Sequence, residues 1–322
     1  MRKQWKRRRW LYVFLSMLFV LGSQTVLAQE FPTKPITLIV PYGPGGSFDL
    51  IGRAFTSVAV DYLKQPIIFQ LKPGGGGAIG TELVAKAAPD GYTLLLAGPG
   101  PTCTLPAIEG ISKGPNDFIA ICRINKIAGL VMVRTDSPFK TFKGVLDYAK
   151  ANPGKLTYGN AGTWGPSDLP WRLVKMETGI VTRDIPHDGG GPCLMALLGG
   201  HIQVSILLPT QSLPQIKAGK LRALATLDSK RDPEVPDVPT LLELGVKVVS
   251  YSWKGFAAPK GTPRPIIEKL AMAFNKMSKD KSVLSMIKQL GDELEYLGPE
   301  EFAKVWREEY EALKELGKTI KK

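Results

Sequence analysis

Histidine and cysteine are scarce in this chain, which has two histidines, His187 and His201, and three cysteines, Cys103, Cys122 and Cys193, among 322 residues. Neither type falls at a metal-binding spacing, so the pattern offers no zinc centre. Most acid–base enzymes also need more imidazole than this. An odd number of cysteines in an oxidising compartment leaves at least one thiol unpaired, and if a disulfide forms, Cys103 with Cys122 is the pair closest in sequence. A serine nucleophile is no better supported: Ser47 is followed by Phe48-Asp49, without the closing glycine of a nucleophile elbow. For His187 and Asp188 two readings stay open, a polar loop with a locally satisfied imidazole and a functional pair.

Acidic residues are absent from Met1 to Arg9, which carries Arg2, Lys3, Lys6, Arg7, Arg8 and Arg9. The apolar run that follows, Trp10 to Leu21, is too short to span a bilayer comfortably, and Val26-Leu27-Ala28 supplies the small residues a signal peptidase prefers. This pattern predicts an export signal over residues 1–28, with the mature chain starting at Gln29. No later segment is long and apolar enough to cross a membrane. The segment also accounts for six of the thirteen excess positive charges, leaving +7. That remainder is scattered, with no basic run interleaved with aromatics, so nucleic-acid binding is not expected and a mild attraction for anions is.

What the sequence does have is glycine in turns. Tyr42-Gly43-Pro44-Gly45-Gly46-Ser47-Phe48-Asp49 and Pro73-Gly74-Gly75-Gly76-Gly77-Ala78 each follow an apolar run and each lead into a helical pattern. A strand that turns through glycines into a helix leaves backbone N–H groups unpaired and points the positive end of the helix dipole at whatever lies above it. On consecutive strand–helix units both turns fall on one edge of a parallel sheet, an arrangement that suits a carboxylate. Nucleotide motifs use the same device, and both turns fail them. Ile79-Gly80-Thr81 stands where a phosphate loop ends in lysine and serine or threonine, and Phe48 stands where a dinucleotide loop has its third glycine. No cofactor is expected.

The pattern of elements is doubly wound α/β, each lobe a mostly parallel sheet flanked by helices. In the first half, strands are predicted at Ile36 to Val40, Pro66 to Leu71 and Tyr92 to Ala97, with helices at Leu50 to Leu63 and Ile79 to Ala88. New material follows: a strand at Ile127 to Val133, a helix at Phe142 to Ala151 capped by Thr141, and a strand at Leu156 to Tyr158. Then come helices at Asp168 to Thr178 and after Gly189-Gly190-Gly191-Pro192, and strands at Gln203 to Leu207 and Leu221 to Thr226. Ala161-Gly162-Thr163-Trp164, with Ser167, is a third glycine-rich turn before a helix. A strand at Tyr251 to Ala258 returns to the first lobe, and helices at Pro265 to Ser278 and Pro299 to Leu316 close the chain. In the last, Phe302, Trp306, Tyr310 and Leu313 form an apolar stripe that reads as core. The length exceeds one typical domain. We therefore expect two lobes joined by two crossings, residues 29–126 with 252–322 and residues 127–251, around a ligand cleft.

Several segments in this order and spacing resemble one family throughout the mature chain. They are Phe31 to Ile36, Val40-Pro41-Tyr42-Gly43-Pro44-Gly45-Gly46, Pro73 to Gly80, Pro89-Asp90-Gly91-Tyr92-Thr93-Leu94, Ile216 to Ala225, and Ala258-Pro259-Lys260-Gly261-Thr262-Pro263. The family is the periplasmic solute-binding proteins of tripartite tricarboxylate transporters, including the Bug receptors. The resemblance implies a two-lobed, Venus-flytrap binding protein of the type II kind, non-catalytic and monomeric in the periplasm, that closes on an organic anion and hands it to large and small membrane subunits. It implies that Tyr42 to Asp49 and Pro73 to Gly80, Gly75, Gly76, Gly77 and Ala78 among them, hold a ligand carboxylate through amides and ordered waters. It implies that Ala161 to Ser167 and His187-Asp188-Gly189 face them from the second lobe. Phe48 and Trp164 replace residues that are often small or polar in relatives, which would give the cleft apolar faces. Asp168 stands where histidine is frequent, Asp188 where a cation is usual, and Leu207 where aspartate is frequent. A carboxylate at 188 in place of a cation would disfavour a trianion and favour a mono- or dicarboxylate. A sensory receptor that presents the same ligand to a membrane kinase is the alternative, and a secreted hydrolase is a third class without a nucleophile, base or metal set to support it.

Overall fold

The computed structural model describes residues 31–320. The export signal expected over residues 1–28 and the start at Gln29 lie outside the described residues. From Lys34 onward the described residues form one compact unit, built on two five-stranded sheets.

The first sheet grows from β1 (Ile36–Val40), an apolar run buried at four of its five positions. β1 pairs in parallel with β2 (Ile67–Leu71) on one side and β3 (Thr93–Ala97) on the other. Val40 lies opposite Leu71, so both glycine turns leave the same sheet edge, as expected from the sequence. Beyond β3 the order continues with β10 (Tyr251–Pro259) and β4 (Phe118–Ala128), both antiparallel to their neighbours. The second sheet, in the order β7 (Arg183–Pro186), β6 (Thr157–Asn160), β8 (Val204–Leu207), β5 (Leu130–Arg134), β9 (Leu221–Thr226), is likewise half parallel and half antiparallel. The expected mostly parallel sheets are thus mixed. The antiparallel half is made by the strands that carry the chain from one sheet to the other, which must enter against the direction of the strand–helix units.

Helix boundaries shift where glycine or proline hides them. The first helix, α1 (Ser47–Ser57), begins directly after Gly46 and breaks at Val58 before α2 (Ala59–Leu63), so the single predicted helix from Leu50 is two. A tight turn at Gly75–Gly77 leads into α3 (Ala78–Ala85). Gly100–Glu109 forms a π-helix containing Pro101 and Pro106, a segment with no helical signature in the sequence. In the second half, α4 (Phe142–Ala151) is capped by the Thr141 hydroxyl, which accepts from Gly144 N at 3.1 Å. α5 (Asp168–Thr178) ends at Gly179 in the left-handed conformation, and both match the reading of the sequence. α6 (Gly190–Leu198) follows the third glycine run, and α7 (Pro209–Lys217) opens on a proline that lacks only an N–H the first turn does not need. The chain closes with α8 (Arg264–Met277), α9 (Lys281–Gln289), whose first amides are held by the Asp280 carboxylate, and α10 (Pro299–Ile320).

The two passages between the sheets lie side by side. β4 runs through Gly129 into β5, and β10 returns beside it, with Lys126 opposite Trp253 and Ile127 opposite Ser252. Leu227 ties them together: its N–H donates to Gly129 O at 2.9 Å and its carbonyl accepts from Ser250 N at 3.0 Å.

All three cysteines are free and buried, so the Cys103–Cys122 pair does not form. The Cys103 thiol in the π-helix faces the Trp306 carbonyl, whereas Cys122 sits in β4 opposite Phe256. Burial pushes all three thiols up, Cys193 to about 11. The α10 stripe is core: Phe302, Trp306 and Leu313 are buried with half-buried Tyr310 packed beside them. Phe302 and Trp306 stack at 5.0 Å, and the Trp306 indole donates to Thr102 Oγ1.

Glu309, one turn along the same helix, accepts from the Trp253 indole. Burial pushes its carboxyl up to about 7, with the Trp253 hydrogen bond pulling the other way. A carboxyl whose folded pKa is raised keeps its proton longer in the fold than in the unfolded chain, so stability falls as pH rises from about 4.5 to about 7 and is level above. Glu309→Gln, which keeps an acceptor for Trp253 without the charge, is expected to flatten this slope. Melting temperatures of both proteins across that range test it, and parallel curves would refute it.

Candidate ligand-binding cleft

The cleft is built by backbone approaching backbone. From the first glycine turn, Gly43 N donates to Asp188 O at 2.6 Å. Behind it, a Cβ on Gly191 would lie 1.9 Å from Pro44 O, closer than any side chain tolerates. From the second turn, Gly76 faces the third. A Cβ there would meet Thr163 O at 2.6 Å, and Gly76 also has φ +66°, a region costly for residues with side chains. Gly74, Gly75 and Gly77 share that positive φ. Side chains add four contacts across the seam: Ser47 N donates to Gln211 Oε1 at 2.9 Å, Ser47 Oγ to Thr210 Oγ1 at 3.0 Å, Thr210 Oγ1 to Asp292 Oδ2 at 2.9 Å, and the Trp164 indole to Glu109 Oε1 at 2.8 Å.

Two aspartates hold the turns in shape by the same device. Asp49 accepts from Gly45 N, four residues before it, and from Arg53 Nε, four residues after it. Asp168 accepts from Trp164 N and from Arg172 Nε at the same offsets, and also from Asn160 Nδ2. Each arginine lies over an aromatic ring, Arg53 over Phe69 at 4.6 Å and Arg172 over Trp164 at 4.2 Å. Both carboxylates sit in the first turn of a helix, where the dipole favours negative charge. The position read as a departure from histidine therefore has a clear structural task here.

The expected site residues fall into three groups. Tyr42, Gly46, Ser47, Phe48, Ala161 and Ser167 line a narrow, partly open cavity of about 20 Å³, room for about one water molecule. Gly75, Gly76, Gly162 and Thr163, with Trp164, His187 and Asp188, line a wider outer cleft of about 870 Å³. Gly43, Pro44, Gly45, Asp49, Gly77 and Ala78 line neither and shape the turns instead. Trp164 packs on Leu105 and Ile108 and is itself buried. The Asp188 side chain is exposed while its carbonyl serves Gly43, so the buried-anion argument against a trianion loses its premise. Leu207 lies on a strand at the cleft edge, between Ile206 and Leu208 that line the cavity, but its own side chain is buried in the core of the second sheet.

Among the described residues, five buried side-chain polar atoms have no partner, and two are at expected site positions, Tyr42 Oη and His187 Nδ1. The imidazole of His187 is thus not locally satisfied. Burial raises the Tyr42 phenol, which stays a neutral donor. Gln211 and Thr210 at the start of α7, Glu109 and Leu208 join the cleft without having been expected. Pro209 masked a strand-to-helix turn that has no glycine to announce it. No group of three or more histidine, cysteine, aspartate or glutamate side chains able to hold a metal occurs among the described residues, nor does a helix long and apolar enough to cross a membrane.

Two sheets flanked by helices, with glycine turns meeting across a cleft, define a two-lobed periplasmic binding protein. Residues 51–321 match the pattern of the tripartite tricarboxylate transporter family receptor, and the chain belongs to that family of periplasmic solute-binding proteins. It is 37% identical over 277 residues to the "UPF0065 protein in gbd 5′region" of Cupriavidus necator, an alignment covering 86% of this chain and 84% of that one. It is similar to the solved structure of the periplasmic binding protein BugD, with TM-score 0.85 and 31% identity over 90% of this chain and 98% of that one. It is also similar to MatC of Rhodopseudomonas palustris with bound malate, with TM-score 0.84 and 28% identity over 89% and 100%.

Gly76→Val is expected to hold the second and third turns apart, because its side chain meets a carbonyl and not a flexible group. Small-angle scattering of the folded variant should show a more open particle than the parent, and identical profiles would mean that the Thr163 turn gives way instead. Asp168→Ala strands a buried amide and the Asn160 side chain, and should cost about 3 kcal/mol in urea unfolding. A loss under about 1 kcal/mol would show that water replaces the carboxylate.

Proposed function

We propose that this protein captures a small organic carboxylate in the periplasm and delivers it to the large and small membrane subunits of a tripartite tricarboxylate-type transporter, without catalysis. The observation that carries this reading is the meeting of two backbone turns, Tyr42 to Ser47 and Asp188 to Gly191, around a cavity into whose wall Tyr42 brings an unpartnered hydroxyl. Backbone amides and a neutral phenol are hydrogen-bond donors, and an acid is the acceptor they suit. The malate bound to the similar MatC structure supports the same ligand class. We propose the expected residues of the glycine turns, with His187 and Gln211, as the ligand shell.

Residues 1–28 are then a cleaved export signal, and the lobes are residues 29–126 with 252–322 and residues 127–251. A space of about 20 Å³ is too small for an organic acid, so the ligand enters a more open form and the lobes turn about the paired passages near Lys126 and Ser252. The same tightness favours a mono- or dicarboxylate over a tricarboxylate.

A thermal-shift screen of the chain from Gln29 onward, refolded to strip carried ligand, tests this against mono-, di- and tricarboxylates. A ligand at a hundredfold excess over its Kd should stabilise the fold by about 3 kcal/mol. Small mono- or dicarboxylates are expected to rank first, and scattering should show compaction on binding. No shift with any acid would overturn the ligand class, and sustained turnover of a bound ester would overturn the non-catalytic role.

A further inference from the structure

No charged side chain lines the narrow cavity, yet a cation without a hydrogen-bond partner lies directly behind its wall. Lys254, in the middle of β10, is fully buried, and its Nζ has no hydrogen-bond partner. The ammonium sits 5.3 Å from the centroid of the Phe48 ring, and that ring, tilted against Tyr42 at 4.8 Å, forms part of the cavity wall. The nearest opposite charge is committed elsewhere. Asp292 Oδ2 accepts from Asn125 Nδ2 and Thr210 Oγ1, both at 2.9 Å, Oδ1 accepts from Glu293 N, and no ion pair joins it to Lys254. A buried ammonium that makes no hydrogen bond or ion pair of its own is a costly arrangement, and a leucine or methionine would fill the space without that cost. An aromatic ring carries no net charge that could cancel a cation's field, and a buried charge is scarcely screened by salt.

We infer that Lys254 supplies, from behind Phe48, the fixed positive charge by which an otherwise uncharged cavity prefers a carboxylate over a neutral ligand of the same shape. This rests on the carboxylate reading above and deepens it. The amides set geometry, and Lys254 sets charge selectivity through the Phe48 wall without touching the ligand. Burial lowers its pKa to about 8, with Asp292 pulling it back up, so the charge is present at neutral pH. Asp292 faces it from the segment after α9, and Asn125, which accepts from the Lys254 N–H across from β4, is uncharged.

The test is calorimetric titration of the full mature chain and of Lys254→Met with a series of aliphatic mono- and dicarboxylates and with the amide analogue of each. Wild type should bind at least one acid more tightly than its amide. Lys254→Met should lose about tenfold or more of the acid affinity and keep that for the amide. Wild-type acid affinity should also fall as pH rises through about 8, and the variant's should not. If wild type binds no acid, the carboxylate reading falls and this inference with it. If wild type binds an acid and the variant matches it within about twofold, the inference alone falls. Should Lys254→Met fail to fold, the wild-type pH profile decides: a flat profile through pH 8 overturns the inference.

Discussion

The arrangement depends on main chain meeting main chain with nothing between. Gly43 gives its N–H to the Asp188 carbonyl, Gly191 lies against the Pro44 carbonyl, and Gly76 lies against that of Thr163. Contacts of this kind need residues without side chains on both faces, which explains why glycine runs recur at the ends of β1, β2 and β6 and before α6. They also fix what the cavity can offer. Where two backbones close to hydrogen-bonding distance, only short, aliphatic, amide or aromatic side chains are left to line the space between them, and none of those lining it here is charged.

Glycine runs are also floppy, and the fold answers that with anchored carboxylates. Asp49 and Asp168 perform one task on two unrelated turns, each reaching four residues back to an amide and four residues on to an arginine that lies over a ring. A turn free to sample many shapes would lose entropy when ligand ordered it; a turn already bound to its own carboxylate has met that cost during folding. Trp164 shows how firmly the third turn is held, since a bulky residue at φ +59° is uncommon and persists only where its surroundings determine it.

Much of this was legible in the sequence, and what was not has physical causes. Apolar runs fix β1 and β3 because a buried central strand needs continuous hydrophobicity, and Thr141 and Gly179 mark helix ends because capping needs a hydroxyl and left-handed termination a residue without a side chain. The glycine turns announced themselves by composition. The π-helix and α7 did not, because Pro101, Pro106, Pro209 and Pro214 suppress the helical signal in segments whose tertiary contacts hold them helical anyway. The roles of residues 188, 207 and 254 were hidden for another reason. Type and position say nothing of direction, and Asp188 turned outward, Leu207 inward and Lys254 beneath a neighbouring ring only once the strands were placed. Cys103 and Cys122 likewise look paired only while their partners, a carbonyl and a strand neighbour, are unknown.

Trp164 has a consequence of an optical kind. Its indole is buried on Leu105 and Ile108, capped by the Arg172 guanidinium, and bonded through its N–H to Glu109 on the opposite side of the seam. The edge of that ring already borders the outer cleft, and the parting of the two sides proposed above would wet the rest of it. Its emission wavelength would then shift to the red as the cleft widens, an unlabelled gauge of how far the molecule stands open.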